Sequence, residues 1–284
     1  MLVNLNAVLL KARENHYAVP AFDTDIRMLI KPTLEAAEEM NSPVILQFHE
    51  IDVEGNDMLY VTTLVKAMAA ESNVPVVLHL DHGENPNKIK RAIENGFTSV
   101  MYDGSHLSLE ENIENTKDIV HFANKYNVTV EAELGHVGGS DLDFNDTGES
   151  LLTDPVDVKK FVEQTGVHAL AVSIGTSHGV YKSEPALNIK VLKKITSATD
   201  TPLVIHGGSG TPENQLKEAI ANGITKVNVF ADLRLAFKTG IEKAYTLISR
   251  PDPLPNELYD PISEEVRKAV KKKIQVFGSD NRAD

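Results

Sequence analysis

The sequence has 284 residues, 42% of them hydrophobic, with no cysteine and a formal net charge of −13. That length suits one α/β barrel and supplies enough apolar side chains for a sizeable core. The acidity disfavours a nucleic-acid backbone or an anionic membrane as partner, and the lack of cysteine removes disulfides and thiolate metal sites.

The N-terminal MLVNLNAVLLKAREN reaches the charged Lys11, Arg13 and Glu14 quickly. It reads as a short amphipathic helix over 5–14 rather than a signal peptide. No apolar stretch approaches the roughly 20 residues of a membrane span, so a cytoplasmic protein is expected. Eight apolar runs follow, at 17–22, 43–48, 75–80, 98–102, 128–134, 169–174, 202–206 and 224–230. They are rich in Val, Ile and Leu and continuous rather than alternating, which is the pattern of buried parallel strands. Amphipathic stretches at 31–40, 87–95, 108–125, 157–165, 189–198 and 213–221 separate them, several closed by Asn-Gly pairs such as Asn95-Gly96 and Asn222-Gly223. A Pro-rich piece at 250–261 leads to a last basic helix at 263–277 and a polar tail. The order predicts an α/β fold: a (β/α)8 TIM barrel with an extra C-terminal helix. Residues 1–284 form a single domain in this reading, with 250–284 as its extension.

In such barrels chemistry lies at the C-terminal ends of the strands. The third run ends in HLDHGE, the fourth is followed by Asp103-Gly104-Ser105-His106, and the fifth carries Glu131 and Glu133. GTSHG follows the sixth, the seventh ends in HGGSG, and the eighth ends in NVFAD. His82, His178, His206 and Glu133 thus sit at four strand ends and are candidates to converge on one cation. Zinc accepts imidazole nitrogen and carboxylate oxygen. His79 shares strand parity with Asp81 and reads as a core or supporting histidine, whereas parity alone would turn His82 away. The run His206-Gly207-Gly208-Ser209-Gly210 exposes amides ahead of a helix, a cradle suited to phosphate, with Asn228–Asp232 beside it. Lys182 is a candidate positive charge at the rim.

In order, HLDHG (79–83), VEAELG with Gly138-Gly139, GTSHG (175–179), HGGSG (206–210) and NVFAD (228–232) resemble the class II, metal-dependent fructose- and tagatose-bisphosphate aldolases. The similarity is greatest to the shorter tagatose-bisphosphate type and runs over nearly the whole chain from YAVPAF at Tyr17. The resemblance implies that Asp81 is the general acid/base and that His82, His178 and His206 bind a catalytic Zn²⁺. It makes Glu133 a ligand for an alternate metal position. Gly179, Gly207, Gly208 and Ser209 would hold the phosphate of dihydroxyacetone phosphate, together with Asn228, Val229, Phe230 and Ala231. It also implies a monovalent cation such as Na⁺ beside that phosphate, a metal-stabilised enediolate, a phosphorylated sugar as substrate, and a homodimer or homotetramer.

Three stretches depart from the family pattern. Asp23 and Asp25 stand where Asn is usual, and His49 stands where the family has a small or hydroxyl residue. Ser140-Asp141-Leu142-Asp143 replaces a Glu-rich stretch, so Asp141 is the best match to a family catalytic carboxylate. Asp23, Asp25 and His49 are therefore specificity candidates. The added negative charge points to an aldehyde partner without phosphate, or different from glyceraldehyde 3-phosphate. Alternatively, Asp23 and Asp25 are exposed or bind cations or water, and Arg250 or Arg282 serves a second phosphate. Two competing readings remain: a Schiff-base aldolase using Lys226, and a non-catalytic aldolase-like subunit.

Overall fold

The computed structural model describes residues 1–24, 27–139, 150–179, 181 and 183–283. All eight apolar runs form strands. After the two-residue β1 (Leu2–Val3) come β2 (Val19–Asp23), β3 (Val44–His49), β4 (Val76–Gly83) and β5 (Ser99–Tyr102). They are followed by β6 (Thr129–Leu134), β7 (Ala169–Val172), β8 (Leu203–Ile205) and β9 (Ile224–Val229). Every pairing among them is parallel, and Ala21 of β2 is in register with both Ile45 of β3 and Asn228 of β9. With β4 also paired to β5, the ring β2 to β9 closes as a barrel, and β1 adds to β4 below β5. The expected fold is the observed one.

Strand alternation sorts the side chains. Val100, Val130, Leu170 and Val227 face the helices and join the outer apolar core. Inside, Ala21, Ile45, Val77, Met101, Ala171 and Val204 fill the floor, and α1 (Leu5–Glu14) plugs it with Leu5, Val8, Leu9 and Ala12. One step up each strand the inward residues turn polar: Gln47, His79, Glu131 and Lys226 are all fully buried. Buried polar groups of this kind require partners, and they find them across the barrel, as described below.

Outside the ring lie α2 (Arg27–Glu39), α3 (Asp57–Glu71), α4 (Pro86–Asn95), α5 (Leu109–Asn124) and α6 (Pro155–Thr165). They are followed by α7 (Ile189–Ala198), α8 (Glu213–Ala221) and α9 (Ala231–Leu247). The sequence pattern does not mark α3 or α9. Helix α3 carries apolar residues on several faces: Met58, Val61 and Val65 are buried, whereas Leu59 and Tyr60 are exposed, so no single stripe emerges. The last helix corrects the sequence reading, because α10 spans Pro255–Phe277 and starts eight residues earlier than expected. Pro255 sits in the first turn, where a fixed φ is favourable and no amide is needed. The Glu257 carboxylate accepts the Leu254 amide at 2.7 Å, completing the start. Val266, Val270, Ile274 and Phe277, the apolar set read from the sequence, are all buried against the barrel. Each such burial is worth about 1.5–3 kcal/mol.

Candidate active site

The polar layer at the C-terminal end of the barrel is organised by an irregularity in β4. His79 and Asp81 point inward by alternation. His82 should face outward, yet its φ is +45°, in the left-handed region, and the β4–β5 register shifts between Leu80 and Gly83. That turn, costly for a non-glycine residue, swings the His82 ring back over the barrel mouth. There it meets His178, from the loop after β7, at 4.9 Å between ring centroids, and His206, at the end of β8, at 4.6 Å. One ring nitrogen from each of the three lies within 4.8 Å of the others.

Two of these imidazoles are held from behind by carboxylates. His82 Nδ1 lies 2.9 Å from Asp103 Oδ2, and His206 Nε2 lies 3.0 Å from Glu131 Oε1. This leaves His82 Nε2 and His206 Nδ1, 2.9 Å apart, facing the shared space. A carboxylate on the far nitrogen fixes the ring and makes the near nitrogen a better metal donor. The donor set of three imidazoles, with the buried Glu133 nearby, fits a divalent cation of the zinc type.

Charge beneath the site is balanced. Burial pushes Glu131 up, but Lys226 Nζ, 2.8 Å away, together with His206 and His79, outweighs it and holds the carboxyl at about 2. Burial, reinforced by Lys226, pulls His79 down to about 3, so it is neutral while bonded to Ser99 Oγ at 2.7 Å. Burial and the Asp103 charge push Glu133 up to about 8, and its Oε2 has no hydrogen-bond partner among the described residues. For Asp81, desolvation is outweighed by the ring charges and Lys226, and its carboxyl lies below the usual range. Gln47 Nε2 donates to Asp81 Oδ2 at 3.0 Å, and Asn228 Nδ2 donates to Oδ1 at 3.2 Å.

Next to the imidazoles, Gly207 has a φ of +69°, and a Cβ there would lie 2.3 Å from the Ser177 carbonyl oxygen. Only glycine permits this close pass of the two loops. Ser209 Oγ accepts the amides of Phe230 and Asp232 at 3.1 and 3.2 Å, so the glycine run sits over the start of α9. Amides at a helix N-terminus favour a bound anion. A small cleft joins these parts, lined by Asp23, Asp81, His178, Gly179, Gly207, Ser209, Asn228 and Phe230.

The model of the family "Fructose-bisphosphate aldolase class-II" matches residues 3–282. This chain belongs to that family. It is 39% identical over 293 residues to a fructose-bisphosphate aldolase of Staphylococcus aureus, covering 99% of both chains. A fructose-bisphosphate aldolase of Staphylococcus epidermidis is 38% identical over 286 residues, again with 99% of both covered. Among solved structures, the YdjI aldolase of Escherichia coli K12 superposes with a TM-score of 0.89 at 34% identity, covering all of both chains. An aldolase activity, a lyase reaction of the class II type, follows for this chain.

Within this aldolase the sequence candidates are distributed unevenly. His82, His178, His206, Glu133 and Asp81 meet at one mouth, with Gly179, Gly207, Ser209, Asn228 and Phe230 lining the cleft. A Cβ on Gly208 would meet Val227 Cγ1 at 2.4 Å and Asn228 O at 2.7 Å, so that glycine secures the close packing of two strand ends. The Val229 side chain faces the outer core, which leaves only its backbone available to the site; Ala231 is buried at the start of α9. Asp25, Asp141 and Lys182 lie outside the described residues. Asp23 is 2% exposed and lines the cleft, and His49, stacked on His82 at 5.6 Å, is 8% exposed. An exposed Asp23 is thereby corrected: β2 carries it inward. The sequence reading did not single out Gln47, Asp103 or Glu131 as site residues, and it raised Lys226 only as the lysine of the competing Schiff-base reading. Asp103 follows a strand and Glu131 shares parity with Glu133, but the bonds they make cross strands far apart in sequence.

Proposed function

We propose that the chain catalyses reversible aldol cleavage of a ketose phosphate to dihydroxyacetone phosphate and an aldehyde, using one Zn²⁺. The observation that carries this reading is the convergence of three imidazoles, two of them braced by carboxylates, beside buried Asp81 and a glycine run folded over the start of α9. His82, His178 and His206 would hold the ion, with Glu133 available as an alternate ligand. The ion supplies Lewis-acid charge for the carbanion character that develops next to a ketone.

The remaining work falls to the side chains. Asp81 gives and takes the proton at the aldehyde oxygen; Gln47 and Asn228 fix its carboxylate for that exchange. Gly179, Gly207, Gly208 and Ser209, with the backbone of 228–231, hold the dihydroxyacetone phosphate end and supply binding energy away from the breaking bond. A monovalent cation such as Na⁺ belongs beside that phosphate, and Lys182 and Asp141 are proposed to complete the site. Tagatose and fructose 1,6-bisphosphates and related ketose phosphates are the candidate substrates. The protein is read as a cytoplasmic homodimer or homotetramer with 1–284 as one domain.

Lys226 argues against Schiff-base chemistry. Its ammonium is fully buried on Glu131 and lies beneath His206, so it is not a free amine at the mouth. Chelation should abolish ketose-phosphate cleavage, and added Zn²⁺ should restore it. Cleavage that persists in metal-free protein, or borohydride inactivation in the presence of substrate, would contradict the proposal.

A further inference from the structure

His79, on β4 and fully buried beneath the three imidazoles, is used by neither the metal set nor the phosphate end. Its Nδ1 lies 2.7 Å from Ser99 Oγ. Ser99 is itself fully buried, and among the described residues its hydroxyl meets no acceptor other than that nitrogen. A buried hydroxyl donates where it can, so Ser99 gives the proton and Nδ1 accepts it. Burial keeps His79 neutral, so the one ring proton sits on Nε2. That N–H lies 3.8 Å from Asp81 Oδ1 and 3.7 Å from Glu131 Oε2, and among the described residues it makes no hydrogen bond.

Two carboxylates compete for this donor. Glu131 already has strong partners: Lys226 Nζ lies 2.8 Å from the same Oε2, and His206 Nε2 lies 3.0 Å from Oε1. The ammonium also makes the group His79, Asp81 and Glu131 a poor metal site, since two cations would share one oxygen. Asp81 is different. Among the described residues its hydrogen bonds come from the neutral amides of Gln47 and Asn228. Its Oδ2 lies toward the mouth, 3.9 Å from His82 Nε2, so His79 addresses the inward oxygen, Oδ1. A movement of about 1 Å turns that approach into a hydrogen bond and fixes the carboxylate from below.

We propose that His79 is a positioning residue for Asp81: Ser99 fixes its tautomer, and its Nε2–H steadies the inward carboxylate oxygen while Asp81 exchanges a proton with the aldehyde oxygen. It acts through Asp81 rather than on the substrate. This rests on the aldolase reading of the site, and it divides the reaction in two. Enolisation of dihydroxyacetone phosphate involves no aldehyde oxygen and proceeds without this support. Carbon–carbon bond formation, in which Asp81 gives its proton to the aldehyde oxygen, requires it.

The test applies two assays to the same Zn²⁺-loaded samples. One is hydrogen–deuterium exchange on dihydroxyacetone phosphate alone. The other is its condensation with glyceraldehyde or glyceraldehyde 3-phosphate, whichever the wild type turns over faster. H79N keeps an amide at the Nδ1 position only, whereas H79Q carries one out to the Nε2 position. H79N should lower kcat for condensation about 10- to 100-fold, with KM, zinc content and exchange rate near wild type. H79Q should recover most of that loss. S99A keeps the imidazole but frees its tautomer, and should lower condensation alone; it carries the test should H79N fail to fold. Equal losses of exchange and condensation, full condensation in H79N and S99A, or an H79Q as slow as H79N would overturn the inference and leave the aldolase reading in place. Wild-type protein without exchange, or without condensation on either aldehyde, defeats the aldolase reading and the inference with it.

Discussion

Lys226 and Glu131 form the ion pair beneath the imidazoles, 2.8 Å apart and fully buried. Such a pair contributes little by being present, yet leaving one member alone strands a charge in the barrel. K226M should therefore destabilise the metal-free protein by about 3–5 kcal/mol in urea titration at pH 7. The pH dependence follows from Glu131, whose carboxyl burial and Lys226 together leave at about 2, against an ordinary 4.5. A depressed carboxyl stabilises the fold fully above its unfolded value. Its contribution should fall away as pH drops from 4.5 toward 2 in wild type, and K226M should show a much smaller loss over that window. An equal loss in both proteins would remove Glu131 as the source. Sequence alone marks His82, His178 and His206, because strand ends and loop glycines flag them. It does not mark the carboxylates behind them, since Asp103 acts across the β4–β5 pair and Glu131 across the barrel. His82 was ambiguous for a definable reason: alternation turns it outward, and a positive φ turns it back.

At the level of elements, α9 and α10 approach each other closely. A Cβ on Gly240 would lie 2.3 Å from Ile262 Cα and 3.0 Å from the Pro261 carbonyl oxygen, so glycine sets the distance between these helices. The obstacle is backbone, which does not rotate aside. G240A should thus lower stability by about 1–3 kcal/mol in thermal or urea unfolding, despite alanine's better helix propensity. Unchanged or increased stability would show that the helices separate freely. The eight strands, α1 and α10 were legible because a buried parallel strand and a four-residue apolar stripe leave strong patterns. The start of α10 was not: Pro255 and Pro261 read as a breaker, although a proline in the first turn begins a helix and one further along can be carried within it. Helix α9 went unmarked because its first two residues, Ala231 and Asp232, read as the end of the eighth strand's motif.

For the whole molecule, closure of the parallel ring concentrates function at one rim. The floor is apolar and plugged by α1; polarity rises one layer at a time toward the C-terminal strand ends. The acidic surface, with a net charge of −13, does not attract a phosphorylated sugar by its bulk field. Recognition must come from local features of the strand ends, where the glycine run over α9 and the imidazole cluster lie side by side. Family membership was legible from five ordered motifs, whereas Asp25, Asp141 and Lys182 keep their assignments from the sequence alone. The most direct test of the central claim needs no choice of aldehyde. Purified protein is incubated with dihydroxyacetone phosphate in deuterated water, and exchange at the reacting carbon is followed with and without a chelator. Exchange that depends on the metal is the predicted result; no exchange with Zn²⁺ bound would contradict the account.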